Sequence, residues 1–211
     1  MYRYDIINKI IKENGFKSYL EIGVCNPADC FDKIECENKD SVDPGVEFTD
    51  NPVKYPVTSD YFFSLLNNND LDLHPDYKWD VIFIDGLHIS TQVMKDVLNS
   101  LQHLSWNGYI LLHDCNPPTI DMAREDYKIN GVYKPWNGTT WKVMYWVRTH
   151  RGDLQSCVVD TDWGIGIIRK GMSLPISFDN PFYEYNQMSS NRVNDLGLIS
   201  INELDSWLNG K

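Results

Sequence analysis

The residues best suited to chemistry lie at the ends of two short apolar runs. Residues 81–84 (Val-Ile-Phe-Ile) stop at Asp85, and residues 109–112 (Tyr-Ile-Leu-Leu) are followed, after one histidine, by Asp114. Runs of this length that are rich in β-branched and aromatic residues predict strands of a parallel sheet buried on both faces. Open α/β sheets bind ligands beyond the carboxyl ends of their strands, so both aspartates are candidate site residues.

The side chains around these two aspartates offer two kinds of chemistry. Asp85 and Asp114 could converge on a divalent cation such as Mg²⁺, with Asn116 as a neutral oxygen ligand. Alternatively, His88 or His113 could act as a general base oriented by a neighbouring aspartate, without a metal. Either arrangement would activate a hydroxyl group, and the sequence leaves both open.

A further acidic candidate follows the first strand-turn-helix pattern of the chain. Residues 18–24 predict a strand, and residues 27–35 predict a short helix after a turn. A second strand at residues 40–43 ends in Asp43, about 20 residues after Gly23, the spacing at which nucleotide-binding folds present an acid to a ribose diol. This half of the chain therefore predicts a nucleotide-type cofactor.

The rest of the chain continues the alternation of helices and strands, which predicts an α/β fold. Helices are expected at residues 4–14, 60–66, 88–104 and 139–150, and strands at residues 54–58, 154–159 and 163–168. The last two strands predict an antiparallel hairpin, and residues 119–138 a long, lid-like connection. The pattern changes after residue 170, so we expect a domain at 1–170 and a helical extension at 171–211.

Composition excludes several classes of protein. The formal net charge of −11 over 211 residues argues against a nucleic-acid partner or an anionic membrane surface. Five cysteines without a C-x-x-C pair predict reduced thiols rather than disulfides or structural zinc. The chain shows neither a signal peptide nor an apolar run long enough for a membrane span, so a cytoplasmic location and a small-molecule ligand are expected.

Four segments in order resemble the motifs of class I S-adenosylmethionine-dependent methyltransferases. They are residues 19–24 (Tyr-Leu-Glu-Ile-Gly-Val), 42–44 (Val-Asp-Pro), 83–88 (Phe-Ile-Asp-Gly-Leu-His) and 109–114 (Tyr-Ile-Leu-Leu-His-Asp). The resemblance is to a bacterial branch often found with polysaccharide and secondary-metabolite genes. Residues 136–142 and 159–164 also resemble that branch.

The resemblance implies a Rossmann-like fold with a seven-stranded, mostly parallel sheet and a terminal antiparallel hairpin. It implies S-adenosylmethionine as the cofactor, bound by Glu21, Gly23, Asp43, Asp60 and Asp85. The implied reaction is O-methylation of a small or sugar-like acceptor, such as a glycan precursor, with His88, His113 and Asp114 as the catalytic candidates. If a metal takes part, it is Mg²⁺ held by Asp85, Asp114 and Asn116.

Several of these residues also have structural interpretations. Glu21 could pair with a helix dipole or a core lysine, and Asp60 could cap a helix. Aromatic side chains could contact adenine or a sugar, or could instead fill the core. This alternative applies to Phe62, Phe63, Tyr133, Trp136 and Trp141.

Two other functions remain open from the sequence. The residues after Gly23 (Val-Cys-Asn-Pro-Ala) are bulkier than the glycines usual in the first loop, which would suit a non-catalytic binding domain that retains the fold. Asp43 would also suit a nicotinamide-dependent oxidoreductase, although the chain lacks G-x-G-x-x-G after its first strand. A homodimer formed through the C-terminal segment is also expected.

Overall fold

The computed structural model describes residues 1–46 and 50–210, and it contains a seven-stranded sheet in the order β2-β1-β3-β4-β8-β7-β9. The strands of this sheet are β1 (Ser18–Ile22), β2 (Asn38–Val42), β3 (Trp79–Ile84), β4 (Leu104–Leu112), β7 (Leu154–Val159), β8 (Ile165–Lys170) and β9 (Leu198–Ile199). Two further strands, β5 (Lys128–Ile129) and β6 (Val132–Tyr133), form a separate hairpin.

Seven α-helices occur among the described residues. They are α1 (Arg3–Asn14), α2 (Ser59–Asn67), α3 (Ser90–Gln102), α4 (Trp141–His150), α5 (Tyr185–Ser190), α6 (Arg192–Leu196) and α7 (Leu204–Leu208). Within the described ranges, no helix is long and apolar enough to cross a membrane.

The chain divides into two compact units, each described below by itself. The N-terminal unit comprises Tyr2–Leu87 and Thr91–Leu111, and the C-terminal unit comprises Met1, His88–Ser90 and Leu112–Lys211.

The N-terminal unit is built on parallel strands with helices packed against them. Strand β1 pairs in parallel with β2 and with β3, in a register that sets Ile22 beside Val42 and Ile84. Helix α1 buries the four isoleucines that its 3.6-residue period places on one side, and it ends at Gly15, whose φ of 67° is unstrained in glycine. The carboxyl ends of the three strands therefore align at one edge.

The C-terminal unit is organised around helix α4 and the β7-β8 hairpin. Strands β7 and β8 are antiparallel, and β7 also pairs in parallel with β9. Helix α4 buries Trp141, Met144 and Val147, and its buried Tyr145 accepts a hydrogen bond from the Asn180 backbone N–H at 2.9 Å. The segment after β8 is thus tied to this core.

The structure confirms the predicted seven-stranded, mostly parallel sheet with its antiparallel hairpin, but it changes the identity of one strand. Residues 54–58 form only an isolated bridge between Tyr55 and Val42, and the seventh strand is β9. The predicted helix at 27–35 is two single 3₁₀ turns, Pro27–Asp29 and Phe31–Lys33. Pro56 cannot donate to a sheet ladder, and Cys30, with a φ of −140°, interrupts the helix between the two turns.

Smaller differences concern where elements begin. Strand β4 starts at Leu104, five residues before the predicted run, and β8 starts at Ile165 rather than at residue 163. The later start of β8 follows from positive φ angles at Asp162 and Trp163, which are incompatible with a strand. The long connection at 119–138 contains the β5-β6 hairpin, and the domain boundary at residue 170 stays a prediction.

Candidate functional site

A cavity of about 350 Å³ lies in the N-terminal unit, where strands β1 and β2 end and the segment after β3 begins. This volume is within the range of small-molecule sites. Its lining contains both apolar and polar residues, and comprises Ile22, Gly23, Val42, Pro44, Val46, Thr58, Ser59, Asp60, Gly86, Leu87, Gln92 and Asp96. The position is the one predicted for a nucleotide-type cofactor.

Gly23 is required by the packing of two backbone segments. Its φ is 83°, and a Cβ at this position would lie 2.2 Å from the Gly86 Cα atom. A side chain would therefore push apart the turns that follow β1 and β3. Both glycines line the cavity, so the close approach also shapes its wall.

Asp43 organises the loop beside the cavity. Its Oδ2 atom accepts hydrogen bonds from the backbone N–H groups of Val24 at 2.9 Å and Cys25 at 3.0 Å, and Oδ1 accepts from Gly45 at 2.7 Å. Its chain neighbours Val42 and Pro44 line the cavity. Each carboxylate oxygen has two lone pairs, so Asp43 retains acceptor capacity toward a ligand.

Glu21 and Asp85 lie in the same unit but outside the cavity lining. Glu21 is 1% exposed and accepts a hydrogen bond from the Tyr19 hydroxyl, and burial raises its pKa to about 8. Asp85 accepts a hydrogen bond at 2.6 Å from Nη1 of Arg3 in helix α1. The cofactor-binding roles of Glu21 and Asp85 stay predictions.

The side-chain amide of Gln92 connects three other polar residues that line the cavity. Gln92 Nε2 lies within hydrogen-bonding distance of Asp60 Oδ1 at 3.0 Å, Asp96 Oδ1 at 3.1 Å and Ser59 Oγ at 3.2 Å, and its two N–H groups are shared among these acceptors. Burial raises the pKa of Asp96 to about 6, whereas hydrogen bonds from Lys95 and Gln92 lower the pKa of Asp60.

The alternative interpretations of helix α2 are resolved by its contacts. The side chain that caps the helix is that of Thr58, not Asp60. Phe62 and Phe63 are 0% and 2% exposed and belong to the core. The assignment of Asp60 to the cofactor stays a prediction, and its carboxylate lines the cavity.

The C-terminal unit brings two histidines onto one buried carboxylate. His88 Nδ1 lies 2.9 Å from Asp114 Oδ2, and His113 Nδ1 lies 3.2 Å from the same oxygen. Burial acts to raise the pKa of Asp114, but hydrogen bonds from His113 and His88 outweigh it, so the pKa lies below its usual value. The Asp114 carboxylate is therefore ionised and is a suitable partner for a protonated imidazole.

Two residues that the sequence did not single out hold this cluster. Asn137 is 0% exposed and donates from Nδ2 to Asp114 Oδ1 at 2.6 Å, and its own Oδ1 has no hydrogen-bond partner within the described part of the chain. Asp162 Oδ1 lies 3.6 Å from His113 Nε2. Both residues lie in segments that also resemble the family branch, 136–142 and 159–164. That resemblance is the only feature of the sequence that pointed to them.

His88 is enclosed by the segment that contains Asn137. Its ring stacks on Trp136 with centroids 5.3 Å apart, and its carbonyl accepts a hydrogen bond from the Thr139 N–H at 2.7 Å. Gly138 has a φ of 67°, and a Cβ there would lie 2.1 Å from the His88 carbonyl oxygen. The histidine is thus fixed by both its ring and its backbone.

Asn116 is engaged in hydrogen bonds through both amide atoms. Its Nδ2 donates to Asp160 Oδ1 at 3.0 Å, and its Oδ1 accepts from Arg192. A metal ion at this oxygen would have to displace the guanidinium group. The assignment of Asn116 as a metal ligand stays a prediction.

The aromatic residues expected near the acceptor have different environments. Trp141 is 1% exposed and belongs to the core, whereas Tyr133 is 68% exposed on strand β6. Trp136 lies over His88, and its Nε1 donates to the Arg124 carbonyl at 2.7 Å. Of the three, Trp136 is therefore the one placed beside a candidate catalytic residue.

Comparisons with known proteins agree with this fold. A family model described as a methyltransferase domain matches residues 33–115. The O-methyltransferase TomG from Streptomyces achromogenes, involved in tomaymycin synthesis and solved in complex with S-adenosylmethionine, is 10% identical, with a TM-score of 0.50 over 80% of this chain and 79% of that one. An O-methyltransferase from Bacillus cereus, solved with S-adenosylhomocysteine, is 14% identical, with a TM-score of 0.50 over 80% of each chain.

No protein with curated annotation matches the chain. The structural likenesses show the fold, and the family match identifies residues 33–115 as similar to a methyltransferase domain. The predicted fold is therefore confirmed, and the methyltransferase domain match covers strands β2, β3 and β4.

Proposed function

We propose that the protein is an S-adenosylmethionine-dependent O-methyltransferase that acts on a small, sugar-like acceptor. The observation that carries the proposal is the cavity at the carboxyl ends of β1 and β2, whose lining includes Leu87. The next residue in the chain is His88, the partner of Asp114. A cofactor cavity is thus followed in the chain by a candidate base.

The cavity has the volume and lining that a nucleoside-containing cofactor requires. Ile22, Val42 and Pro44 supply apolar surface for an adenine ring, and Asp60 and Gln92 supply polar groups. Asp43 would accept a hydrogen bond from a ribose hydroxyl with the remaining lone pair of Oδ1. When bound, S-adenosylmethionine supplies the electrophilic methyl group, and the protein's task is mainly alignment and exclusion of water.

His88 is assigned the role of general base. Its Nδ1 faces the Asp114 carboxylate, which fixes the tautomer that accepts a proton at Nε2. The negative charge on Asp114 stabilises the imidazolium that forms when the acceptor hydroxyl is deprotonated. Asn137 fixes the second oxygen of that carboxylate.

The same residues are less well suited to binding Mg²⁺ for a metal-assisted reaction. In the C-terminal unit, His88, His113 and Asp114 offer ligand atoms within 4.8 Å of one another. Mg²⁺ prefers oxygen ligands, and the amide oxygen of Asn116 accepts from Arg192. Turnover that survives a chelator would support the base, and strict dependence on added Mg²⁺ would refute it.

Calorimetric titration with S-adenosylhomocysteine tests the cofactor assignment. We expect binding to the wild type and to Asp32→Ala, an exposed aspartate outside the cavity, and loss of binding in Asp43→Ala. Binding of NAD instead would favour the oxidoreductase. Failure of both ligands to bind would favour the non-catalytic domain.

The biological setting is proposed from the sequence resemblance. We place the protein in the cytoplasm of a bacterium, in the synthesis of a polysaccharide or secondary metabolite, with a glycan precursor as acceptor. A homodimer formed through residues 171–211 is part of the same proposal.

A further inference from the structure

A second cavity, of about 510 Å³, lies wholly in the C-terminal unit. It is bounded by the turn between β7 and β8, the segment that follows β4, and helix α6. Its lining includes Asn116, Asp160, Asp162, Trp163, Ser189 and Arg192. None of its lining residues belongs to the proposed cofactor cavity.

The β7-β8 turn presents an indole ring to the cavity at the expense of backbone strain. Asp162 and Trp163 have φ angles of 45° and 65°, left-handed conformations that are strained for residues other than glycine. Backbone hydrogen bonds at 2.9 Å, from Cys115 N–H to the Gly164 carbonyl and from Asn116 N–H to the Trp163 carbonyl, hold the turn. Trp163 is left 49% exposed.

The polar lining combines acceptors and donors. Asp160 and Asp162 contribute carboxylates, and Arg192 donates to Asn116 Oδ1, to the Pro117 carbonyl at 2.9 Å and to Ser189 Oγ at 3.0 Å. These partners of Arg192 are neutral, and no carboxylate of the described residues forms an ion pair with it. The cavity therefore offers both signs of charge to a ligand.

One wall of the cavity is shared with the candidate catalytic cluster. Asp162 lines the cavity, and its Oδ1 lies 3.6 Å from Nε2 of His113. His113 in turn contacts Asp114, the partner of His88. A ligand in the cavity would therefore lie beside the histidine-aspartate cluster.

We propose that this cavity is the acceptor subsite and that it binds a neutral pyranose ring. The inference rests on the proposed function, because it assigns the acceptor of that reaction. Sugar hydroxyls both donate and accept, which matches Asp160, Asp162 and Arg192, and the apolar face of the ring would pack on Trp163. Two carboxylates would repel an anionic ring, and an apolar ring would bury these charges without partners.

Saturation-transfer NMR on the full chain tests the subsite without requiring turnover. The probes are the methyl glycosides of glucose, galactose, mannose and rhamnose, with cyclohexanol and methyl glucuronide for comparison. We expect at least one neutral glycoside to bind better than both comparison compounds. Trp163→Ala should weaken that binding about fivefold, Trp163→Phe should largely restore it, and Trp163→Gln replaces the alanine variant if the latter does not fold.

The control is Trp106→Ala, which removes an indole that is 79% exposed and does not line the cavity. It should leave glycoside binding unchanged. The subsite is refuted if no neutral glycoside binds, if a comparison compound binds better, or if Trp163→Ala and Trp106→Ala behave alike, while S-adenosylhomocysteine still binds. Glycoside binding without S-adenosylhomocysteine binding would instead overturn the proposed function, and with it the role of acceptor.

Discussion

Asn137 is the amide partner of the buried Asp114 carboxylate. It donates a 2.6 Å hydrogen bond to Asp114 Oδ1 and is itself fully buried. Hydrogen bonds to charged groups contribute about 1.5–3 kcal/mol, and a buried charge that loses its partner also loses solvation. This contact therefore affects both stability and the charge state of the cluster.

We predict that Asn137→Ala lowers the free energy of unfolding by roughly 2–3 kcal/mol, measured by urea denaturation at pH 7.5. The matched control is Asn209→Ala, whose exposed amide donates to the Asp205 carbonyl and should matter little. In an Asp114→Asn background the cost of Asn137→Ala should shrink. Equal costs in both backgrounds would show that Asn137 acts on something other than the carboxylate.

Asp96 gives a pH dependence whose sign can be worked out. Burial raises its pKa to about 6 in the folded protein, from 3.8 in an unperturbed side chain. The folded state thus holds the proton more tightly, so the contribution of Asp96 to stability is greatest below pH 3.8 and is lost as the pH rises through about 6.

We predict that Asp96→Asn is more stable than the wild type by roughly 2–3 kcal/mol at pH 7.5, and that the difference vanishes near pH 4. Urea denaturation at the two pH values measures both. Asp60→Asn shares the partner Gln92 but removes a carboxylate whose pKa is lowered, so it should destabilise slightly at pH 7.5. A loss of stability in Asp96→Asn at pH 7.5 would contradict the raised pKa of Asp96.

The sequence predicted that several carboxylates and imidazoles follow the ends of strands, but it did not predict their partners. Asp85, His88 and Asp114 follow recognisable apolar strands, and chain order alone placed them at strand ends. Asn137 and Asp162 reach the cluster from positions 23 and 49 residues away from their partners, Asp114 and His113, through loops without periodicity. Such contacts depend on tertiary packing, which local pattern does not encode.

At the scale of elements, the loop that carries Asn137 fixes His88 through Gly138. The absence of a side chain there allows the two backbones to approach, and Thr139 N–H then donates to the His88 carbonyl at 2.7 Å. Gly131, in the β5-β6 turn, also has a positive φ, of 77°, but a Cβ there would meet nothing within 4 Å. Comparing substitutions at these two glycines therefore separates the cost of a left-handed backbone from the cost of steric crowding.

We predict that Gly131→Ala costs about 1 kcal/mol, the strain of a left-handed alanine, whereas Gly138→Ala costs roughly 3 kcal/mol or more because the loop must also move away from His88. Thermal denaturation compares the two variants. S-adenosylhomocysteine should still bind to Gly138→Ala, since its proposed cavity does not include residue 138. An equal loss of stability in the two variants would show that the segment around His88 can move away from the new side chain without strain.

Most elements were predicted in the right place, and the two segments predicted as the wrong element, 27–35 and 54–58, are both short. Helix α1 and strand β3 have enough apolar positions to define one period. Residues 54–58 and β9 are both short, and pairing partners rather than propensity decided which became a strand, since β9 pairs with β7 over two positions. The number of strands was therefore predictable, but the identity of the seventh was not.

Residues 171–211 contribute to the core of the C-terminal unit. Three apolar side chains in this segment, Met188, Leu196 and Leu204, are at most 1% exposed. Arg148 donates to the Asn194 carbonyl at 3.0 Å, and strand β9 pairs with β7. These contacts bind the segment to helix α4 and the β7-β8 hairpin.

We predict that a chain ending at residue 170 does not fold cooperatively. Burial of an apolar side chain contributes about 1.5–3 kcal/mol, so the three residues alone represent roughly 5–9 kcal/mol, comparable with the 5–15 kcal/mol stability of a typical domain. A chain ending at Leu208, which keeps all three, is the matched control and should melt like the wild type by circular dichroism. A native-like, cooperative melt of the 1–170 chain would instead establish residues 171–211 as a dispensable extension.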